Sequence, residues 1–331
     1  MKKILTRLFE YESLTSDEAR ILLHGIAKGE YNSSQITGLM AVYLMRNISL
    51  EELSGFRNAL LELKTEVDLS DFNTIDIVGT GGDGKDTFNI STTASFVVAG
   101  AGQKVVKHGN YSATSVSGAS NVIENHGTRF TTDNDTLRRS LEESNFAYLH
   151  APLFNSAMKA VASMRKEIGV RTFFNILGPL INPLQPKNQL LGVYNLSMLR
   201  MYSYMLQQMG VNYAVVNSLD GYDEISLTSQ FKVSTSDRER IYSPSELQFP
   251  LYKESDIYGG ATQKEAMQIF DNILNNCSTQ AQKDCTVANA AFALNLMERE
   301  KSIEECVEMC RESIESGKAL ASFRKFVEIN S

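Results

Sequence analysis

Residues 74–101 read TIDIVGTGGDGKDTFNISTTASFVVAGA, and this stretch decides the fold. Its first five residues form a short, largely apolar and β-branched run, which suits a buried strand and is too short for a helix. Glycines at 79, 81, 82 and 84 then break the run, and an Ala/Val-rich helix is expected over 92–101. Strand, tight turn and helix in that order are the first half of a βαβ unit. The pattern recurs downstream, with strands expected at 104–107, 146–149, 190–194 and 213–217. Helices are expected near Val122 and over 156–167 and 197–209. Such alternation implies a mainly parallel sheet with helices on both faces. Residues 225–235 alternate through Ile225, Leu227, Phe231 and Val233, which predicts a hairpin or edge pair, and from Thr262 onward the chain reads as helix.

Upstream of residue 71 the reading is helical throughout. Thr15 with Glu18 and Ser49 with Glu52 have capping-box spacing, in which the side chain of each partner caps the backbone N–H of the other. Ala19, Leu22, Leu23 and Ile26 follow the first box, and Leu53, Phe56, Leu60 and Leu61 follow the second. Between them Ile36, Leu39, Met40, Tyr43 and Leu44 mark another amphipathic helix. Each apolar stripe needs a partner. The expected architecture is therefore a small all-helical domain over 1–70 and a large α/β domain over 71–331.

Composition narrows the function. The 331 residues are 43% hydrophobic and 21% charged, with 32 Lys and Arg against 39 Asp and Glu and a net charge of −7. An acidic chain is a poor partner for a nucleic-acid backbone, which needs clustered cations. No apolar stretch reaches the length of a membrane span, and Arg7 and Glu10 interrupt the start before it reaches signal-peptide length, so a cytoplasmic protein without a membrane partner is expected. Cys277, Cys285, Cys306 and Cys310 lack metal-type spacing, and Cys306 and Cys310 are expected as half-buried apolar side chains of one helix.

The site reading starts in the glycine loop. Gly79-Thr80-Gly81-Gly82-Asp83-Gly84 lets backbone N–H groups approach a ligand closely, and Ser91 and Thr92 lie where a helix begins. Phosphate suits that combination, although the run fits neither the dinucleotide-binding nor the Walker pattern. Lys107-His108-Gly109-Asn110 ends the next strand and leads into a hydroxyl-rich loop, Ser112 to Gly118, able to take a second phosphate. Asp223 and Glu224, within Asp220-Gly221-Tyr222-Asp223-Glu224, are hard oxygen ligands of the kind Mg2+ prefers beside substrate phosphates. Arg165 offers planar donors for a carboxylate. Taken singly, these features are also a capped turn, a solvated serine loop, a surface turn and a helix-end arginine. Together, at the carboxyl ends of parallel strands, they point to one ligand site.

These residues resemble the anthranilate phosphoribosyltransferases. The matching pieces are GTGGDG at 79–84, TFNIST at 87–92, KHGN at 107–110, VRTFFNILGPLINP at 170–183 and DGYDEIS at 220–226. The resemblance implies that the small helical domain takes back a segment around 165–190, that the active site lies in the cleft between the domains, and that the N-terminal helices make a homodimer. It implies transfer of the phosphoribosyl group of 5-phosphoribosyl 1-pyrophosphate to anthranilate, with Mg2+ as cofactor and no catalytic triad. By motif position, Gly79, Gly82, Asp83, Thr87, Asn89, Ile90, Ser91, Thr92, Lys107, Ser115 and Ala119 would hold the donor. Gly79, His108, Asn110 and Arg165 would hold anthranilate, and Ser91, Asp223 and Glu224 the metal.

Three positions depart from that family's pattern: Tyr111 replaces an arginine, Ala119 a donor-contacting serine and Asn155 a histidine. One lost hydroxyl contact costs about 1 kcal/mol, which weakens binding without abolishing it. Two other readings compete. A pyrimidine nucleoside phosphorylase would share the KHG-type motif and need no metal, and a non-enzymatic nucleic-acid-binding relative would show salt-sensitive DNA binding without turnover.

Overall fold

The computed structural model describes residues 1–112 and 116–331, and the chain divides into two compact units, Met1–Glu66 with Ala151–Pro183 and Val67–His150 with Leu184–Ser331. The segment that joins the N-terminal helices is thus 151–183, where the resemblance implied about 165–190. Among the described residues no helix is long and apolar enough to cross a membrane.

The first unit is built from α1 (Lys2–Phe9), α2 (Ser16–Ala27), α3 (Ser33–Met45) and α4 (Leu50–Glu62). Both expected capping boxes form, at Thr15/Glu18 and Ser49/Glu52, and Asn32/Gln35 makes a third. Phe173 from the returning segment lies 4.8 Å from both the Tyr43 and Phe56 rings, so aromatic packing ties that segment to the helices. Glu52 is fully buried, yet its carboxylate accepts from both Arg46 terminal nitrogens, at 2.6 and 2.9 Å, and from the Tyr43 hydroxyl and the Leu14 N–H, each at 3.0 Å.

The second unit carries a seven-stranded sheet of order β3-β2-β1-β4-β5-β6-β7, comprising β1 (Thr74–Gly79), β2 (Lys104–Gly109), β3 (Phe146–His150), β4 (Asn188–Gly192), β5 (Asn212–Ser218), β6 (Phe231–Thr235) and β7 (Glu239–Tyr242). The first five strands run parallel, and β6 and β7 add antiparallel edge pairs. Buried Val, Ile and Leu fill the parallel strands because both sheet faces are covered. Helix α5 (Ile90–Gly100) and the helix Gln280–Met297, both almost wholly buried, belong to the main core. Cys306 and Cys310 are fully buried there rather than half-buried.

Two local expectations change. The 156–167 helix is a 3-10 turn, Ser156–Val161, followed by a short helix, Ala162–Ile168. The 225–235 alternation is a strand only from Phe231 on, because Leu227 has φ +58°, a left-handed value no strand tolerates. Asn289, from the distant helix Gln280–Met297, satisfies both the N–H and the carbonyl of Ile225, at 3.0 and 2.8 Å, where a strand neighbour would have done so.

Strand order places a topological switch between β1 and β4: the chain leaves β1 toward β2 on one side and returns to β4 on the other. Ligands bind outside the carboxyl ends of strands at such a point.

Candidate active site

At the switch point β1 and β4 both end in glycine, Gly79 opposite Gly192 in register. The loop after β5 lies directly over this pair. A Cβ on Gly79 would come 2.4 Å from Asp223 Oδ2, and one on Gly192 would overlap the Asp223 carbonyl oxygen at 1.6 Å. Only glycine at both strand ends lets Asp223 reach the glycine loop. Gly81, Gly82 and Gly84 all have φ between +68° and +78°, the left-handed backbone that turns the chain back toward α5.

Asp223 and Glu224 then meet that loop. The Gly81 N–H donates to Asp223 Oδ2 at 2.6 Å, and the Ser91 N–H, in the first turn of α5, donates to Glu224 Oε1 at 3.0 Å. Among the described residues neither carboxylate forms an ion pair. Burial pushes the Asp223 carboxyl up, and the neighbouring Asp83 charge pushes it further. Burial likewise raises Glu224 well above the carboxylate range, helped by Asp223 and Asp83 and opposed by the Ser91 N–H and Lys107. One Asp83 carboxylate oxygen is buried without a hydrogen-bond partner. Clustered acids with too little positive charge form a site that a cation completes. No three His, Cys, Asp or Glu groups among the described residues form a cation cage by themselves. Mg2+ takes one or two carboxylates and fills its remaining positions with water and substrate phosphate, and Asp223 and Glu224 offer two carboxylates side by side. The residues present therefore fit the metal.

Lys107 stands beneath the loop. It is buried, donates to the Ile77 carbonyl and lies 3.3 Å from Ser91 Oγ. Burial lowers its ammonium to about 8, so it carries its charge at neutral pH but holds it loosely. Asn89 precedes α5 as its N-cap without capping it; its side chain instead donates to the Ser117 carbonyl at 2.9 Å, tying the glycine loop to the hydroxyl-rich loop. Helix α5 begins at Ile90, so Ser91 and Thr92 both belong to its first turn. Asp83 Oδ1 accepts from the Lys85 N–H at 3.0 Å, which shapes the turn through Gly84, just after Gly82. Ala119 opens the helix Ala119–Asn125 and packs against the main core. Ser115 lies outside the described residues. Of the residues expected to hold the donor, Gly79, Ser91, Lys107, Asp223 and Glu224 thus come together within one unit, with Asp83 acting on Asp223 and Asn89 just ahead of α5.

The acceptor-side residues are spread more widely. His108 is buried, its N–H donating to Asp76 at 3.4 Å, whereas Asn110 is exposed and accepts the Tyr111 N–H on its own side chain at 2.8 Å. Arg165 belongs to the helical unit. It is half-buried, donates to Asn175 Oδ1 at 3.4 Å and lies 5.8 Å above the Phe174 ring. Among the described residues Arg165 makes no ion pair, and burial lowers its guanidinium below the usual range, so an incoming carboxylate would meet a cation with spare donors.

Sequence reading missed one support. The segment 254–260 straps the glycine loop: the Gly259 N–H donates to the Asp86 carbonyl at 2.7 Å, Thr87 bridges Tyr258, and Lys85 pairs with Glu254 at 3.5 Å. A Cβ on Gly259 would sit 2.4 Å from the Thr87 carbonyl oxygen. The adjacent glycines 259 and 260 were the available signal, since paired glycines mark close backbone approach as well as turns.

The class follows from the fold: two models of the glycosyl transferase family match, its helical bundle domain over residues 2–63 and its a/b domain over residues 71–320. An anthranilate phosphoribosyltransferase of Bacteroides thetaiotaomicron is 61% identical, with 100% of both chains covered. The Saccharomyces cerevisiae anthranilate phosphoribosyltransferase, solved in complex with PRPP and Mg, superposes with a TM-score of 0.89 at 27% identity, covering 98% of this chain and 96% of that one. The same yeast enzyme in complex with 4-fluoroanthranilate gives a TM-score of 0.87 at 25% identity, with 98% and 96% covered. The chain belongs to the anthranilate phosphoribosyltransferases within the glycosyl transferase family.

Proposed function

We propose that this protein transfers the phosphoribosyl group of 5-phosphoribosyl 1-pyrophosphate to the amine of anthranilate, giving N-(5-phosphoribosyl)anthranilate and pyrophosphate, in tryptophan biosynthesis. The observation that carries this reading is the Asp223/Glu224 pair, buried and half-buried, which accepts N–H groups of the glycine loop and α5 and forms no ion pair among the described residues. Mg2+ held by Ser91, Asp223 and Glu224 with donor phosphate oxygens would neutralise the pyrophosphate as it leaves.

The chain's own residues do the rest. Loop N–H groups around Gly79 and Gly82, the first turn of α5 at Ile90, Ser91 and Thr92, and the Lys107 ammonium hold the donor's phosphates, with Asp83, Thr87 and Asn89 shaping the loop. The family pattern would add Ala119 and, outside the described residues, Ser115 to the donor's contacts. The amine nitrogen bonds to the anomeric carbon as the bond to pyrophosphate oxygen breaks with its electron pair, and the amine's extra proton leaves for water. The nucleophile is already neutral, so holding it about 3–3.5 Å from the carbon supplies much of the rate. Arg165 holds the acceptor's carboxylate, with Asn110 and His108 as its other contacts. The Phe9, Tyr11, Ile21 and Met45 side chains of the helical unit are each more than 60% exposed, which supports a homodimer formed through these helices. A cytoplasmic location fits the substrates.

The test is a fluorescence assay with protein, anthranilate, the donor and Mg2+. The expected result is loss of anthranilate fluorescence that requires both donor and metal. Folded protein that leaves the fluorescence unchanged would overturn the proposal.

A further inference from the structure

Strand β3 ends at His150, which pairs in register with Gly109, the residue before Asn110. The imidazole is buried, and its Nδ1 lies 2.9 Å from Ser120 Oγ, which is itself 2.8 Å from the Tyr148 hydroxyl. The Ser120 N–H donates to the Asn110 carbonyl at 3.2 Å. Phe130 stacks on the imidazole with centroids 4.1 Å apart, and Tyr111, the neighbour of Asn110, meets it edge-on at 5.0 Å. The Tyr111 hydroxyl is held in turn by Glu124 at 2.9 Å. The loop closes tightly here: a Cβ on Gly118 would lie 2.3 Å from the Ser112 nitrogen.

A ring buried only to fill space would be better replaced by phenylalanine or leucine, because burying a polar imidazole costs free energy unless its nitrogens are used. Here the polar atom holds a hydroxyl whose own backbone fixes Asn110, and the ring face holds the adjacent Tyr111. Two separate contacts from one side chain therefore converge on residues 110 and 111. Burial, opposed by Glu124, keeps the imidazole below its ordinary range, so the ring is neutral at pH 7 and its bond to the Ser120 hydroxyl needs no charge.

We infer that His150 is a positioning residue for the acceptor, setting the backbone of Asn110 through Ser120 and Tyr111. The inference rests on the proposed role of Asn110 in holding anthranilate. It gives a purpose to Tyr111, which stands where the family pattern has arginine: its ring packs edge-on against the buried imidazole while its hydroxyl reaches Glu124.

The test measures both Michaelis constants for the full-length protein and four variants. His150→Leu keeps bulk and loses Nδ1, Ser120→Ala removes the hydroxyl and keeps the ring, and His150→Asn places a polar atom near the Nδ1 position. Asn110→Ala probes the underlying reading. The expected result is a rise of about five- to ten-fold in the anthranilate KM for His150→Leu and Ser120→Ala, with the donor KM within about two-fold and recovery in His150→Asn. If Asn110→Ala raises the anthranilate KM while Ser120→Ala and any folded His150→Leu leave it unchanged, the inference fails and the role of Asn110 stands. Equal rises in both constants would likewise assign His150 a purely structural role and overturn the inference. An unchanged anthranilate KM in Asn110→Ala would overturn the role of Asn110, and the inference with it.

Discussion

Glu52 in the helical unit, fully buried, and Glu224 in the α/β unit, half-buried, both accept a backbone N–H from the first turn of a helix or its cap. Their fates differ. Burial pushes Glu52 up, but two bonds from Arg46 and further bonds from backbone donors outweigh it, and the carboxyl ends below its ordinary value. Glu224 receives one N–H and the charge of Lys107, while Asp223 and Asp83 press on it with like charge, and it ends well above. The first carboxylate is complete within the protein. The second is left with raised proton affinity, which in the proposed reading a cation would relieve, and a perturbed carboxylate of that kind is a candidate for a site rather than for the scaffold.

The largest expected effect breaks that contrast from the functional side. Asp223→Asn should lower the transfer rate about 10^3-fold, roughly 4 kcal/mol of leaving-group stabilisation, while melting temperature holds or rises because like-charge repulsion is relieved. Steady-state kinetics and a thermal melt on one preparation check both halves. Glu52→Gln should do the reverse, costing about 2–3 kcal/mol of stability in a denaturant titration, because Arg46 loses its charged partner while little of the site is touched. A variant pair that lost activity and stability in parallel would erase the distinction.

Titration sharpens the comparison further. Asp223 and Glu224 have raised folded-state values, so they bind protons more readily as pH falls, and Mg2+ must compete with those protons. The Mg2+ concentration for half-maximal rate should therefore climb as pH drops below neutral. Lys107 acts in the opposite direction: its ammonium, lowered to about 8, loses charge as pH rises past that value. The donor KM should rise about ten-fold between pH 7 and 9, and a flat profile would remove Lys107 from the donor's phosphates. The smallest expected effect belongs to Ser91→Ala, which removes a hydroxyl 3.3 Å from Lys107 and should raise the donor KM about five-fold.

Local pattern carried much of the fold. The strands from Thr74 to Ser218 are short apolar runs bounded by glycine or polar residues, and both expected capping boxes form because each needs only residues three apart. What local pattern lacks is any record of distant partners. Ile225 and Leu227 alternate like a strand, but a helix more than 60 residues away, through Asn289, takes the backbone bonds of Ile225. The union of 151–183 with the N-terminal helices rests on Phe173 meeting Tyr43 and Phe56, contacts across more than 100 residues that no periodicity announces. In the site, glycines 79, 81, 82 and 84 and the 223–224 acids were legible as residue types suited to phosphate and metal. The strap at 254–260 and the His150 network were not, since each contributes through backbone or buried contacts with residues far along the chain.

The most direct test of the central claim is calorimetric titration of Mg2+ into protein saturated with the phosphoribosyl donor, for the natural chain and for Glu224→Gln. The account predicts saturable binding in the former and affinity weakened about 10–100-fold in the latter, with both proteins folded. Equal Mg2+ affinity in the two would show that the Asp223/Glu224 pair is not the cation site, and would contradict the account.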